Sequence, residues 1–378
     1  MFEEFEKLCA SGQLRELKTS RRAGKFIEIN GMRYLDFGSN DYLGIAARKD
    51  LQTEFFDSLN CENEFIFGGT ASRLLTGNHE DYEIAEVAIG AEYGRACLMF
   101  NSGYHANTGV IPVIAGKGDL ILCDKLAHAS IIDALKLGDA KWLRFAHNDV
   151  AHLRKLLLEH RANFKRVLIV TESLFSMDGD TAPLAELVQL KNEFDAILYL
   201  DEAHAFGVCG ERGLGIAEEF GLMNEVDFIM CTLGKALAGE GAFVISSAQW
   251  RDMFVNKARS LIFTTSLPPI NLKWTAFIFA RILKMQSERA VLKKLSETFR
   301  RELADFSILG ERHIAPLLVG ESAKALEFSK ALAAAGIWAP AVRPPTVPPN
   351  GARLRFSLSA AMSIEDAAFC SQKISEIK

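Results

Sequence analysis

The chain has 378 residues, with 43 basic and 48 acidic side chains and a formal net charge of −5. This balance gives no global attraction to nucleic acid or to an anionic membrane. No apolar run approaches the roughly 18 residues that span a bilayer, and the acidic amino terminus lacks the features of a signal peptide. The seven cysteines are scattered, without a Cys-x-x-Cys pair, so we expect a soluble cytoplasmic protein with no zinc or redox centre.

The length is large for a single core and predicts a main domain with a smaller one appended. Residues 1–45 are expected to form a helix and a hairpin, residues 46–266 a large α/β domain, and residues 267–378 a small α+β domain. Pro268 and Pro269 interrupt the pattern at the second boundary, and one long helix is predicted beyond them, over about 270–305.

Short apolar runs alternate with longer amphipathic segments after about residue 90, which is the pattern of a mostly parallel sheet covered by helices. The predicted strands are Leu120–Cys123, Leu143–Phe145, Val167–Thr171, Ala196–Leu200 and Phe228–Cys231. Polar residues directly follow several of them. Since open α/β sheets bind ligands at the carboxyl ends of their strands, the candidate chemistry is predicted at one edge of one sheet.

Three of these polar residues match the needs of a pyridoxal phosphate (PLP) enzyme. Lys235, between Gly234 and Ala236, follows one strand, and Asp201 and His204 follow another. A lysine amine can form a Schiff base with the PLP aldehyde, a carboxylate can keep the pyridine nitrogen protonated, and an imidazole can reach the phenolic oxygen. Alone, Lys235 is more simply a surface lysine after a buried strand; the combination favours the PLP site.

Two further segments are compatible with this site. Ser102, Gly103 and Tyr104 open a predicted helix, whose free amides and positive dipole end favour a phosphate, and the tyrosine ring can cover a second ring. His128 follows a strand and can stack on a pyridine face, although a simple helix-start histidine fits equally well. Ser176 lies beyond another strand, where a hydroxyl can hold the ring oxygen.

Arg353 and Arg355 are two apart on a predicted strand and therefore share a face. A guanidinium that binds a carboxylate through two hydrogen bonds is the expected anchor for an amino-acid substrate, but an exposed pair on an edge strand is an equally good interpretation. The preceding segment 343–349 contains four of the ten prolines. Its stiffness favours a preset loop over a site.

Other motifs fail. The Asp201–His204 run has the letters of a helicase box, but the chain has no phosphate-binding loop of the Gly-x-x-x-x-Gly-Lys-Ser/Thr type. His147 and His152 are five positions apart, which is not a metal-ligand spacing.

Together these motifs resemble the α-oxoamine synthases, fold-type I PLP enzymes that condense an amino acid with an acyl thioester and release carbon dioxide. The resemblance extends in order from 39–44 (Ser-Asn-Asp-Tyr-Leu-Gly) to 353–355 (Arg-Leu-Arg). It implies a large, mostly parallel sheet domain with a smaller α+β carboxyl-terminal domain, and a homodimer with a shared active site.

The resemblance also assigns roles to individual residues. Lys235 would hold PLP, Asp201 would pair with its ring nitrogen, His204 and Ser176 would face its phenolic oxygen, and His128 would stack on the ring. The phosphate and ring would be surrounded by Ser102, Gly103, Tyr104 and Thr232, with Thr264 or Thr265 from a second subunit. Arg15, Asn40 and Thr346 would bind the substrates, and Arg355 the substrate carboxylate.

Within the family, three segments favour a member that joins L-alanine to a pimeloyl thioester, on coenzyme A or on a carrier protein: 144–149, 175–180 and, above all, 343–348. A glycine-using ligase and a non-catalytic subunit with the same fold are the alternatives. Met362, Phe206 and Glu240 depart from the family pattern. They leave the predicted PLP residues untouched and put only substrate details in question.

Overall fold

The computed structural model describes residues 2–10, 14–59 and 67–377. Two compact units make up the chain: a small unit of residues 1–48, 177–180 and 287–378, and a large unit of residues 49–176 and 181–286. No helix in the described ranges is both long and apolar enough to cross a bilayer.

The helices are α1 (Phe2–Ala10), α2 (Lys49–Asp57), α3 (Glu80–Tyr93), α4 (Gly103–Ile114), α5 (Ala129–Leu137), α6 (Val150–His160), α7 (Leu184–Glu193), α8 (Ile216–Glu219), α9 (Ala248–Lys257), α10 (Arg259–Ile262), α11 (Pro269–Ile282), α12 (Gln286–Glu302), α13 (Ser322–Ala334) and α14 (Ile364–Ile377). Short 3₁₀ or π turns occupy Ile45–Ala47, Arg73–Gly77 and Arg161–Asn163.

The strands are β1 (Ser20–Ala23), β2 (Phe26–Ile29), β3 (Met32–Asp36), β4 (Ala96–Phe100), β5 (Leu120–Asp124), β6 (Lys141–Phe145), β7 (Val167–Glu172), β8 (Ile197–Asp201), β9 (Phe228–Thr232), β10 (Ala242–Ser246), β11 (Ile314–Gly320), β12 (Ile337–Trp338), β13 (Ala341–Val342) and β14 (Ala352–Ser357).

The large unit is built on a seven-stranded sheet in the order β4-β10-β9-β8-β7-β5-β6. Strands β5 to β9 pair in parallel, and β10 runs antiparallel to both of its neighbours. The central strands are buried along their whole length, as expected for apolar, β-branched runs covered by helices on both faces. The predicted α/β fold with a mostly parallel sheet is confirmed.

Helix α4 positions one wall of the site. It packs closely on α5 and contacts β4, β9 and β10, with Ala106, Val110 and Ile111 fully buried in the core beneath the sheet. Ser102 caps its amino end by accepting a hydrogen bond from the His105 amide, which is a common way for serine to begin a helix. The start of α4 is thereby fixed next to the carboxyl ends of the parallel strands.

The small unit contains a four-stranded sheet, β1-β2-β3-β12, and a three-stranded sheet, β11-β14-β13. The prediction of a helix and a hairpin in the first 45 residues describes α1 and the β1–β2 pair, but β3 extends this hairpin into a meander.

The single long helix predicted over 270–305 is wrong. The chain forms α11 and α12 there, separated at residues 283–285. The large unit also extends to residue 286, beyond the boundary predicted at 266, because α11 packs against α3. At the boundary predicted after residue 45, residues 46–48 also belong to the small unit. Residues 177–180, inside the predicted large domain, belong to the small unit as well.

Candidate active site

A cavity of about 170 Å³ lies at the carboxyl ends of β7, β8 and β9 in the large unit. It brings together seven of the residues predicted for PLP: Gly103, Tyr104, His128, Asp201, His204, Thr232 and Lys235. The remaining lining residues are Asn107, Ser130, Glu172, Ala203 and Met230.

Lys235 lies in a tight turn directly after β9. The turn is closed by hydrogen bonds from the Ala238 amide to the Lys235 carbonyl and from the Gly239 amide to the Leu233 carbonyl, both 3.0 Å long. Ala238 adopts a φ of 49°, in the left-handed region that non-glycine residues rarely occupy. This closed turn directs the lysine amine at the cavity, where its Nζ lies 2.7 Å from His204 Nε2.

His204 is held by the turn that follows β8. The Ala203 amide donates to Asp201 Oδ1 at 2.9 Å, and the Ala205 amide donates to the Glu202 carbonyl at 2.9 Å. Glu202 is fully buried and anchors this turn: its carboxylate accepts from Ser173 Oγ and from the amides of Ile216 and Ala217. Burial raises the pKa of Glu202 to about 7, against the lowering effect of these donors.

Asp201 ends β8 and is 3% exposed. Its Oδ2 accepts a hydrogen bond from Asn107 Nδ2 at 3.0 Å. Asn107 reaches this position because it lies one helical turn after Gly103 in α4 and so points to the same side of the helix. The carboxylate is held by fixed donors on both oxygens, as a group that must keep one orientation requires.

His128 is the amino-terminal cap of α5, where its Nδ1 accepts from the Ser130 amide. The same nitrogen lies 2.7 Å from Ser130 Oγ. Burial lowers the pKa of His128; the charge of Asp201 opposes this and that of Lys235 adds to it. The histidine is therefore a helix-start residue that also lines the cavity.

Glu172, the last residue of β7, supplies a second buried carboxyl group to the cavity. Burial raises its pKa well above the usual value, and the neighbouring charge of Asp201 raises it further. The charge of Lys235 and the His128 amide act in the opposite direction. Two carboxyl groups and a lysine in one small cavity form a charge cluster of the kind that perturbs proton binding at catalytic sites.

The start of α4 forms another wall. The first amides of a helix have no acceptor within the helix, so Gly103 and Tyr104 turn donors and a positive dipole end toward this region. Tyr104 is 48% exposed, and its hydroxyl donates to Asp133 Oδ2 at 2.7 Å. Thr232 lies next to Gly103, and its Oγ1 donates to the Gly241 carbonyl at 3.3 Å.

Four residues predicted for this site do not line the cavity: Ser102, Ser176, Thr264 and Thr265. Ser102 lies behind Gly103, where its hydroxyl caps α4. Sequence reasoning gave no role to Asn107 or Ser130, although both belong to the motifs around Ser102 and His128. The available signal was spacing: Asn107 is four residues after Gly103, on one helix face.

In the small unit, the predicted substrate residues form two hydrogen-bonded pairs. Arg15 Nη2 donates to Thr346 Oγ1 at 2.9 Å. Arg355 Nη1 donates to Asn40 Oδ1 at 3.1 Å and to Ser357 Oγ at 2.6 Å. Residues far apart in sequence therefore contact each other within the small unit.

Arg353 and Arg355 are both buried in β14, so neither is an exposed edge residue. Arg353 Nη1 donates to Asp178 Oδ1 at 2.6 Å and to the Met177 carbonyl at 3.0 Å, and its Nε donates to the Gly351 carbonyl. The charge of Arg353 is therefore matched by a carboxylate of the protein itself.

The three departures from the family pattern lie outside the cavity lining. Phe206 is buried, with its ring centroid 5.0 Å from that of Phe243. Met362 is buried in the small unit, and Glu240 is exposed. The phenylalanine fills the hydrophobic core in place of a smaller side chain.

The cavity fits PLP by the chemistry of its donor set. It offers one primary amine, a buried carboxylate for a ring nitrogen, imidazoles for a ring face or a phenolic oxygen, and a helix start for a phosphate. Gly103 also matters: a Cβ there would come within 3.6 to 3.8 Å of Met230 and Thr232. This Cβ would occupy part of the cavity beside the amino end of α4.

Comparison with known proteins agrees with this chemistry. Residues 34–371 match the family "Aminotransferase class I and II". The 8-amino-7-oxononanoate synthase of Chlorobaculum parvum is 45% identical over 96% of this chain and 94% of its own length. The structure also matches a Sphingomonas wittichii serine palmitoyltransferase, with a TM-score of 0.91, 32% identity and coverage of 99% of this chain and 95% of that one.

A solved 8-amino-7-oxononanoate synthase from Francisella tularensis matches with a TM-score of 0.77 and 26% identity, over 91% of this chain and 97% of that one. Several matching serine palmitoyltransferase structures contain PLP. The fold is that of fold-type I PLP transferases. The chain belongs to the class I and II aminotransferase family and, within it, to the α-oxoamine synthases. It is a PLP-dependent acyltransferase.

Proposed function

We propose that the chain joins L-alanine to a pimeloyl thioester and releases carbon dioxide and the free thiol, with 8-amino-7-oxononanoate as the product, a step of biotin biosynthesis. The observation that carries this proposal is the 45% identity, over nearly the whole chain, to a relative named for that product. The Arg-Pro-Pro-Thr-Val-Pro segment at 343–348 supports the same substrate choice.

In this proposal each residue of the site has a separate role. Lys235 would hold PLP, and its amine would remove the proton from the α-carbon of alanine. His204, 2.7 Å from Lys235 Nζ, orients the amine and faces the phenolic oxygen together with Ser176. Asp201 holds the proton on the ring nitrogen, and His128 covers the ring.

Bound PLP supplies an electron-accepting ring that stabilises negative charge at the substrate α-carbon. Asp201 matters to this because a carboxylate keeps the ring nitrogen protonated, and its two fixed donors keep it in place. The low pKa of His128 favours a neutral imidazole at neutral pH, which can lie against a ring without adding a positive charge. Gly103, Tyr104, Ser102 and Thr232 bind the phosphate side.

Arg355 binds the alanine carboxylate in this proposal, and Arg353 does not. The support is that Arg353 is already bound to the carboxylate of Asp178 at 2.6 Å. Asn40 orients the Arg355 guanidinium. Arg15 and Thr346, which contact each other, bind the acyl substrate. The carrier is coenzyme A or a carrier protein.

We further propose that the chain works as a cytoplasmic homodimer in which Thr264 or Thr265 completes the site of a second copy. Phe263 next to them is 71% exposed, and Leu74 and Leu75 are 51% and 77% exposed. Exposed apolar side chains of this size favour burial by a partner. Sedimentation of the purified chain as a monomer at assay concentration would contradict the dimer.

A second candidate joins L-serine to a long-chain acyl thioester, because a serine palmitoyltransferase matches the structure with a TM-score of 0.91. The glycine-using ligase is the third candidate function. The test is a steady-state assay of carbon dioxide release with three substrate pairs: alanine with pimeloyl-CoA or pimeloyl carrier protein, serine with palmitoyl-CoA, and glycine with acetyl-CoA. We expect the highest kcat/KM for alanine with a pimeloyl thioester. An equal or higher value for either other pair would reassign the function.

A further inference from the structure

A buried chain of side-chain hydrogen bonds leads from Tyr199, in the middle of β8, to the cavity. The Tyr199 hydroxyl donates to Asn107 Oδ1 at 2.6 Å. Asn107 Nδ2 donates to Asp201 Oδ2 at 3.0 Å and to Ser130 Oγ at 2.8 Å. Ser130 Oγ in turn lies 2.7 Å from His128 Nδ1. Tyr199, Asn107 and Ser130 are each at most 1% exposed.

The chemistry of a carboxamide makes the tyrosine important. An amide has one accepting end and one donating end of nearly the same shape, so it can rotate by half a turn within the same space. Asn107 must present its NH₂ group to Asp201, because a carbonyl oxygen there would face a carboxylate. The Tyr199 hydroxyl stabilises the correct orientation, since it offers a donor to the end that accepts.

Both ends of the Asn107 amide are hydrogen-bonded. Its NH₂ group donates to Asp201 and Ser130, and its carbonyl oxygen accepts from the Tyr199 hydroxyl. Tyr199, Asn107 and Ser130 are at most 1% exposed, so solvent has little access to replace a lost partner. Removing a partner from a buried polar group costs more than the hydrogen bond contributes, because the remaining group stays desolvated.

We propose that Tyr199 and Asn107 are positioning residues that hold Asp201 in the orientation that keeps the PLP ring nitrogen protonated. This inference rests on the proposed role of Asp201. Tyr199 lies two residues before Asp201 on β8, on the same face of the sheet, and outside the cavity lining. Tyr199 contributes to the position of Asp201 by fixing the orientation of the Asn107 amide.

The test compares Tyr199→Phe with Tyr93→Phe. Both substitutions remove a buried tyrosine hydroxyl and keep the ring; the Tyr93 hydroxyl donates to the Leu214 carbonyl at 2.9 Å and lies 3.8 Å from Cys231 Sγ. Two quantities are measured on each purified protein without substrate: the dissociation constant of PLP, and the ¹⁵N chemical shift of the ring nitrogen of labelled bound PLP, which reports its protonation.

We expect Tyr199→Phe to weaken PLP binding by roughly tenfold, as loss of a buried hydrogen bond implies, and to move the ¹⁵N shift toward the unprotonated value. Tyr93→Phe should leave both unchanged even if its melting temperature falls. Asn107→Ala should reproduce the Tyr199→Phe effect, and the double variant should be no worse than Asn107→Ala alone.

Three results would overturn the inference: equal effects of Tyr199→Phe and Tyr93→Phe, a ¹⁵N shift that stays in place, or additive losses in the double variant. If Tyr199→Phe does not fold, Asn107→Ala and Asn107→Ser carry the same ¹⁵N test. Failure of the wild-type protein to bind PLP would instead count against the proposed function, so the two failures are distinguishable.

Discussion

Two polar cavities lie at opposite ends of the parallel strands of the large unit. The one at the carboxyl ends, with Lys235 and Asp201, has a volume of about 170 Å³. The one at the amino ends, with Arg161, Arg166 and Lys191, is larger, at about 370 Å³. The larger of these two cavities is therefore the one that lacks the residues predicted to bind PLP.

The two cavities differ in how their charges are matched. At the amino ends three of the four lining cations contact a carboxylate: Arg161 with Asp195 at 3.1 Å, Arg166 with Asp119 at 2.7 Å and Lys191 with Asp227 at 3.3 Å. Although burial acts to raise it, the Arg166 guanidinium lowers the pKa of Asp119. These contacts are ordinary ion pairs that stabilise the fold modestly.

At the carboxyl ends two buried carboxyl groups share one small cavity. Glu172 and Asp201 are like-charged neighbours, and the pKa of Glu172 is raised well above its usual value by burial and by Asp201. The amine of Lys235 lies 2.7 Å from a ring nitrogen of His204. Crowding two carboxyl groups into a buried space costs stability, and such clusters are common at sites of chemistry.

Exchanging one lysine at each end should give the largest difference. Lys235→Ala should lower kcat by roughly 10⁴-fold or more, because it removes both the group that holds PLP and the base. Lys191→Ala removes only an ion pair and should leave kcat within about twofold. Both are measured by carbon dioxide release at saturating substrate. Comparable losses in the two variants would contradict the contrast between the cavities.

The carboxylates provide the second comparison. Asp201→Asn keeps the size of the side chain and removes its charge, so kcat should fall by about 10²- to 10³-fold, as for other preorganised electrostatic groups. Asp195→Asn is the control at the amino ends: Asp195 is 98% exposed and has a φ of 47°, which asparagine tolerates. Its kcat should not change. An active Asp201→Asn variant would remove the proposed role of this residue.

Strand β14 offers a third comparison, because Arg353 contacts the Asp178 carboxylate and Arg355 donates to Asn40 and Ser357. Arg355→Leu should raise the apparent dissociation constant of L-alanine by tens-fold or more, from loss of a contact of roughly 2–5 kcal/mol. It should leave PLP occupancy intact. The binding constant is read from a spectral titration of the PLP-loaded protein.

Arg353→Leu should weaken alanine binding much less and lower the melting temperature instead, because it leaves the Asp178 carboxylate without its partner. If the two effects on alanine binding are reversed, the carboxylate anchor is Arg353.

The smallest expected effect is a pH dependence of the cofactor-free protein. The pKa of His128 is lowered from 6.5 on folding, so the unfolded chain binds a proton here at a higher pH than the folded chain does. This contribution to stability is present above about pH 6.5 and is lost as the pH falls through the folded-state pKa, by at most about 1.4 kcal/mol per pH unit.

His128→Asn removes the titration and keeps a good helix cap. Below pH 6.5 the thermal midpoint of the wild-type protein should therefore fall more steeply than that of the variant. Parallel curves for the two proteins would show that His128 does not titrate as its surroundings imply.

Most of the large unit was predictable because its strands are nearly continuous apolar runs, and polar residues such as Asp201 and Lys235 follow them directly. The break between α11 and α12 was not, because nothing at residues 283–285 is a strong helix breaker. The role of Arg353 was also hidden: its partner Asp178 is far away in sequence, and spacing alone could not separate it from Arg355. Asn107 was missed because a buried amide is recognised by its partners, which only the fold brings together.

The central claim is that Lys235 is the residue that holds PLP. The most direct measurement is reduction of the PLP-loaded protein with borohydride, followed by proteolysis and mass spectrometry of the modified peptides. The account predicts one pyridoxyl group per chain, on Lys235 in the segment that follows β9. Modification of another lysine, such as Lys125 or Lys191, with Lys235 unmodified, would contradict it.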